Sequence, residues 1–195
     1  MNLPNKLTVS RLILTAFFLA ALFIDFPFHF TVALVLFVAA SLTDLFDGII
    51  ARRRNLITDF GKLMDPLADK VLICSAFIAF IELEWMAAWM VILIVARELA
   101  ITGLRLLAAS KNLVLDAERQ GKNKTISQIT AIIALLVTNS HADWPIVGQL
   151  FAYPIAGHGW AWWVAQLSVW VAVVLTALSG FLYLWKNRDV YLNDC

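Results

Sequence analysis

The sequence predicts an all-α, polytopic membrane protein with six transmembrane helices. It predicts cytoplasmic N- and C-termini and a short interfacial helix at the N-terminus. Three observations lead there. Hydrophobic residues make up 62% of the 195 positions and charged ones only 15%, where an average soluble domain carries roughly a quarter. Six windows approach the about 20 apolar residues that cross a bilayer core. Lys and Arg are absent from alternate connections between those windows. The mean hydropathy is +0.81, too high for a soluble chain with a few buried helices. The whole chain, 1–195, reads as one membrane domain without internal repeats or low-complexity tracts.

The opening NLPNKLTVSRL is the expected interfacial helix, with Pro4 in a first turn where its missing N–H costs nothing. The first span covers 11–29; its length and the lack of a small-residue cleavage site argue against a signal peptide. The second and third spans cover 30–50 and 65–84, the fourth 87–109, the fifth 124–142 and the sixth 160–185. The segments 25–30, 82–86 and 139–160 contain no Lys or Arg, whereas Arg52 to Arg54, Lys62, Lys70, Lys111, Arg119, Lys122, Lys124, Lys186 and Arg188 fall on the other side. Cations accumulate on the cytoplasmic face, so both termini, with Lys6 and Arg11, are placed there. Trp85, Trp89, Trp144, Trp160, Trp162 and Trp163 gather near the outer ends, as indoles do at a headgroup boundary. Such an architecture predicts a multi-pass membrane protein with membrane lipid as a partner and no nucleic-acid partner; the family resemblance given below adds the expectation of a bacterial inner membrane and a site facing the cytoplasm.

Charge concentrates in DLFDGIIARRRNLITDFGKLMDPLADK, residues 44–70, between the second and third spans. Asp44 and Asp47 are three apart near the inner end of one helix; Asp65 and Asp69 are four apart near the start of the next. Each spacing keeps a pair on one helical face. A connection as short as 53–60 makes the two helices antiparallel neighbours, so four carboxylates converge. Unpartnered, they would repel one another and stay protonated. Hard oxygen ligands of this kind suit Mg²⁺ or Mn²⁺, and four of them can bridge two such ions that keep room for substrate phosphate. Gly48 lets a ligand approach the helix backbone closely, and Gly61 offers the same at the turn into the third helix. Thr58 and Asp59 read as an N-cap there, and Pro66 as a kink or a first-turn position. Arg52, one turn past Gly48, is placed to contact phosphate; Arg53 and Arg54 read as topology determinants at the headgroups. The competing reading of the aspartates is a set of interhelical ion pairs with Arg52 to Arg54 and Lys70.

These residues resemble the signature D-x2-D-G-x2-A-R-x8-G-x3-D-x3-D of the CDP-alcohol phosphotransferases. The match runs through Asp44, Asp47, Gly48, Ala51, Arg52, Gly61, Asp65 and Asp69 without a departure. The resemblance implies six transmembrane helices, a cytoplasm-facing site with two divalent cations, and a homodimer. It implies that Asp44 and Asp65 contact both ions, Asp47 the first and Asp69 the second, with Asp69 also the base toward the incoming alcohol. By the same resemblance Gly48, Arg52 and Thr58 contact the CDP group of the donor. Ala51, Gly61, Asn5 and Thr8 complete the donor-binding set.

The acceptor is read from basic residues further along. ARELAITGLRLLAAS places Arg97 and Arg105 eight apart within the fourth span, and QGKNKT opens the fifth with Lys122 and Lys124. Two Arg forks and two Lys charges suit a phosphomonoester; the alternatives are an Arg97–Glu98 pair and an ordinary basic loop. REL-A-ITGLR, G-K-x-K-T and the opening with Asn5, Thr8 and Arg11 resemble the branch of the family that makes phosphatidylglycerophosphate. That likeness implies phosphatidyl transfer from CDP-diacylglycerol to sn-glycerol 3-phosphate, with CMP released. Cardiolipin, phosphatidylinositol phosphate or phosphatidylserine synthesis remains open as a variant of the same chemistry. A divalent-cation transporter is the rival of another class, but it would place acidic residues at several depths, and spans one, five and six hold none deep inside. His29, His141 and His158 fall in outer segments, while Cys74 and Cys195 make no metal spacing. A histidine-based zinc site and a disulfide framework are therefore not expected.

Overall fold

The computed structural model describes residues 3–54, 59–110, 119–145, 147–151, 153–155, 157–188 and 190, with side chains except at 3–8, 44–67, 69, 110 and 119–122. Helices dominate: α1 Leu3–Phe23, α2 His29–Arg54, α3 Asp59–Glu82, α4 Ala88–Ser110 and α5 Arg119–Ser140. A 3-10 turn His141–Asp143, the short α6 Val147–Phe151 and a two-residue hairpin, β1 Pro154–Ile155 with β2 His158–Gly159, then lead into α7 Trp160–Lys186. The long helices close a ring in which α1 packs on α2, α2 on α5, α5 on α7, α7 on α4, α4 on α3 and α3 on α1. Contacts of α3 with α5 and with α2 cross its interior.

Each long helix turns one stripe of three-and-four spacing inward. In α2 the buried stripe runs Ala33, Phe37, Ala40, and in α3 it runs Leu72, Ala76, Phe80. Phe18 of α1 meets Phe37 with ring centroids 5.5 Å apart. The inward face of α7 is made of small residues, Ala161, Ala165, Ala172, Thr176 and Gly180, so α5 and α4 approach it closely. The opposite faces are apolar as well: Phe17, Val35, Ile92, Leu99, Ile126, Leu167 and Phe181 all stand exposed on the outside of the bundle. A water-soluble monomer rarely carries so continuous an apolar exterior.

The ends of the helices follow local chemistry. The separate N-terminal interfacial helix expected from the sequence is absent; α1 is continuous from Leu3 to Phe23 because no Gly or Pro interrupts it after Pro4. It stops before 29, where Pro27 cannot extend a helix and Phe28 takes a left-handed φ of 64°. α3 starts at Asp59, ahead of the expected 65, and this puts Pro66 beyond the first turn. It ends in a Schellman motif: Trp85 N–H donates to Phe80 O at 2.9 Å and Glu84 N–H to Ile81 O at 3.0 Å. Glu84 supplies the left-handed residue, φ 58°. The Phe80 and Trp85 rings pack at 5.1 Å across the motif.

The three connections free of Lys and Arg meet at one end of the bundle. Phe30, after the first, packs on Trp85 of the second at 5.1 Å. Thr31 Oγ1–H donates to Asp143 Oδ2 at 3.0 Å, and Trp144 Nε1–H donates to Thr31 Oγ1 at 3.2 Å, tying the first connection to the third. The sequence read 139–160 only as a connection, yet it folds into the turn, α6 and the hairpin. Trp160 Nε1–H there donates to Leu150 O at 2.5 Å and Trp163 Nε1–H to Ile155 O at 2.8 Å. Among the described residues, Trp160–Lys186 is the helix long and apolar enough to cross a membrane, and Val9–Phe23 and His29–Thr43 are shorter apolar stretches. The other long helices carry charge within them, at Asp44 to Arg54, Asp59 to Lys70, Arg97 to Arg105 and Arg119 to Lys124.

Candidate active site

The two aspartate pairs lie on α2 and α3 at the end of the bundle opposite the Trp-rich connections. Both helices run unbroken through these positions, so the spacings of three and four are helical spacings. Position 44 continues the stripe Ala33, Phe37, Ala40, and 47 and 51 extend it; positions 69 and 65 continue the stripe Phe80, Ala76, Leu72 toward the start of α3. Ala68 beside Asp69 is fully buried. The side chains of Asp44, Asp47, Ala51, Asp65 and Asp69 and of Gly48, Arg52 and Gly61 fall outside the described set, as do those of Asn5, Thr8 and Lys122. Thr58 lies wholly outside the described residues. Among the described residues no group of three or more His, Cys, Asp or Glu forms a metal site. The donor set of four aspartates on two touching helices nevertheless has the chemistry that hard divalent cations require.

Arg11 reaches this end from α1. Its side chain is 1% exposed, in line with buried Thr15, Phe18 and Leu22 on one face. Measured from the outer helix ends at 1.5 Å per residue, Arg11, Asp44 and Asp69 lie about 18, 22 and 20 Å down their helices. The residue read from sequence as an inside cation is thus a buried guanidinium at the depth of the carboxylates. Buried charge of that kind faces a polar cavity or a charged partner.

The basic residues assigned to the acceptor separate into two groups. Arg97 and Lys124 come together around Glu98. Arg97 Nη1 stands 3.3 Å from Glu98 Oε1, and Lys124 Nζ forms an ion pair with the same oxygen from across the α4–α5 gap. Glu98 and Lys124 are both buried. Arg97 Nη2–H also donates to Ser179 Oγ at 3.3 Å, while its buried Nε has no hydrogen-bond partner among the described residues. The Arg97–Glu98 pairing weighed from the sequence is present. Gly180 makes the arrangement possible: a Cβ there would stand 2.7 Å from Arg97 Cγ. One turn deeper, fully buried Gln128 donates through Nε2 to Thr176 Oγ1 at 3.1 Å.

Arg105 stands apart and more exposed, eight residues along α4. Its Nε–H donates to Tyr183 Oη at 3.3 Å, and its guanidinium carbon lies 5.6 Å from the centroid of that ring. Tyr183 is buried with Ile101 and Leu104. Around Glu98 itself stand two described cations, Arg97 and Lys124, and Arg105 adds a third about 12 Å along α4. Sequence reasoning missed the whole contribution of α7. The signal was present, since Thr176, Ser179, Gly180 and Tyr183 recur at three- and four-residue spacing in an otherwise apolar helix.

A sequence model of the CDP-alcohol phosphatidyltransferase family matches residues 1–178. The chain is similar to a CDP-diacylglycerol–glycerol-3-phosphate 3-phosphatidyltransferase of Bacillus subtilis, 39% identical over 96% of each chain. It is also similar to a protein of that name from Rickettsia felis, 34% identical over 93% of each. A probable phosphatidylglycerophosphate synthase of Mycobacterium tuberculosis is 37% identical over 97% of this chain and 83% of its own.

Proposed function

Since the chain belongs to the CDP-alcohol phosphatidyltransferase family, we propose that it transfers the phosphatidyl group of CDP-diacylglycerol to sn-glycerol 3-phosphate. The products are phosphatidylglycerophosphate and CMP. The observation that carries this reading is the eight-position signature, of which Asp44, Asp47, Ala51, Asp65 and Asp69 continue the three-and-four spacing of the buried stripes of α2 and α3. The cations Arg97 and Lys124, with Arg105 further along α4, support a phosphorylated acceptor.

In this reading Asp44, Asp47, Asp65 and Asp69 hold two divalent cations, Mg²⁺ or Mn²⁺. Those ions supply neutralisation of the pyrophosphate charge and a clamp on attacking and leaving oxygens. Asp69 accepts the proton of the acceptor hydroxyl as that oxygen bonds to the phosphorus carrying the diacylglycerol. The bond from that phosphorus to the bridging oxygen breaks, and CMP departs with its charge held by Arg52. Gly48, Ala51, Thr58, Gly61, Asn5 and Thr8 shape the donor site. Arg97, Arg105, Lys122 and Lys124 receive the acceptor phosphate. Positioning and charge compensation, rather than covalent chemistry by the protein, account for the rate.

The same reading makes the chain a homodimeric, multi-pass protein of the bacterial inner membrane, with six spans and both termini cytoplasmic. The apolar exterior of the bundle supports lipid contact. The meeting of the three Lys/Arg-free connections at one end supports that orientation.

The test is CMP release by purified protein in detergent with CDP-diacylglycerol. Glycerol 3-phosphate, phosphatidylglycerol, inositol phosphate and serine are offered in parallel, with and without EDTA. Metal-dependent release with glycerol 3-phosphate is expected. Preference for another acceptor refutes the acceptor assignment while leaving the family chemistry, and release that survives metal removal refutes the two-ion mechanism.

A further inference from the structure

We propose that Glu98 is a positioning residue for the acceptor phosphate, holding Arg97 and Lys124 at a fixed separation and setting the charge of the pocket. The proposal rests on the reading of these cations as the acceptor site. A buried glutamate in an apolar bundle is costly unless it is paired, and Glu98 is paired twice: with Arg97 on its own helix at 3.3 Å and with Lys124 on α5. It is the link between two helices that contribute separate cations to one place. Arg97 is further held by Ser179 Oγ at 3.3 Å and by the notch at Gly180. Its guanidinium is thus held by the protein at both Nη1 and Nη2.

Removing the carboxylate takes away the shared anchor that holds Arg97 and Lys124 together from two helices, so both cations lose their placement although the formal positive charge rises. Gln at 98 keeps the shape and one acceptor oxygen but not the charge, and isolates this effect.

The experiment compares wild-type protein with Glu98→Gln, Glu98→Asp, Lys124→Met and the Glu98→Gln/Lys124→Met double variant. KM and kcat are measured for both substrates, and Tm for each purified sample. The expected result is a rise of about tenfold in KM for glycerol 3-phosphate in Glu98→Gln. The KM for CDP-diacylglycerol stays unchanged, because its site lies on α2 and α3, and Glu98→Asp recovers part of the loss. In the double variant the rise in acceptor KM is smaller than the product of the two single-variant rises, since Glu98 acts partly through Lys124. A merely structural glutamate would lower Tm and Vmax with the acceptor KM unmoved; that outcome, or additive losses in the double variant, overturns the proposal. If Glu98→Gln does not fold, the same KM split is read from Glu98→Asp, and an unmoved acceptor KM there overturns it equally. Wild-type protein inactive with glycerol 3-phosphate refutes the acceptor reading itself, and the role of Glu98 with it.

Discussion

Gly180→Ala sets two known effects against each other. A Cβ at 180 would stand 2.7 Å from Arg97 Cγ, so the side-chain stem must retreat by about 0.8 Å or more to reach ordinary carbon contact near 3.5 Å. The obstructing atom lies close to the backbone of α4, not at the flexible end of the side chain, and cannot simply swing aside. Arg97 makes its bonds to Ser179 and Glu98 at 3.3 Å, and a retreat of that size stretches them past the 3.5 Å at which they still count. Overpacking costs typically 1–3 kcal/mol, while replacing Gly by Ala inside a helix returns up to about 1 kcal/mol. The net expectation is a destabilisation of about 0–2 kcal/mol, accompanied by a roughly tenfold or larger rise in KM for glycerol 3-phosphate as the guanidinium shifts. Thermal unfolding in detergent reads the first quantity and acceptor titration the second. A variant with raised Tm and unchanged acceptor KM would show that helix propensity alone operates at 180, and that Arg97 does not need the notch.

Three other outcomes are expected. Asp69→Asn abolishes CMP release while CDP-diacylglycerol binding, followed by isothermal titration, persists; near-wild-type turnover removes the residue as base. Tyr183→Phe deletes the oxygen that accepts from Arg105 and keeps the ring beneath its guanidinium. Because Arg105 is exposed, only a few-fold rise in acceptor KM is expected, and a change in the CDP-diacylglycerol KM instead would misplace Arg105. Glu84→Gly relieves a left-handed residue at the end of α3 and stabilises by up to about 1 kcal/mol, read as a higher Tm with kinetics unaltered.

The sequence was most legible in its long apolar windows: six long helices stand among the described residues, although their boundaries differ from those expected. The side chains of Asp44, Asp47, Asp65 and Asp69 lie outside the described set, and their intervals fix a helical register that α2 and α3 keep. α3 begins at Asp59 because polar residues extend a helix as readily as apolar ones, and hydropathy cannot see that extension. The single helix Leu3–Phe23 was divided in two for the same reason. What the sequence concealed were relations between distant helices. Lys124 and Glu98 are 26 residues apart, and Arg97 and Ser179 are 82 apart. No local pattern announces such pairs, and Gly180 acquires meaning only once Arg97 is known to lie across from it. The α7 residues looked like span filler because the functional partners they hold belong to α4.

The clasp formed by Thr31, Asp143, Trp144 and the Phe30–Trp85 contact has a mechanical consequence. It binds the helices together at the end remote from the charged residues. Rods pinned at one end behave as levers: a tilt of about 3° over a 24-residue helix, some 36 Å long, displaces the far tip by about 2 Å. Small tilts about that clasp would therefore widen the charged end while leaving the clasped end nearly in place, and no helix would have to bend.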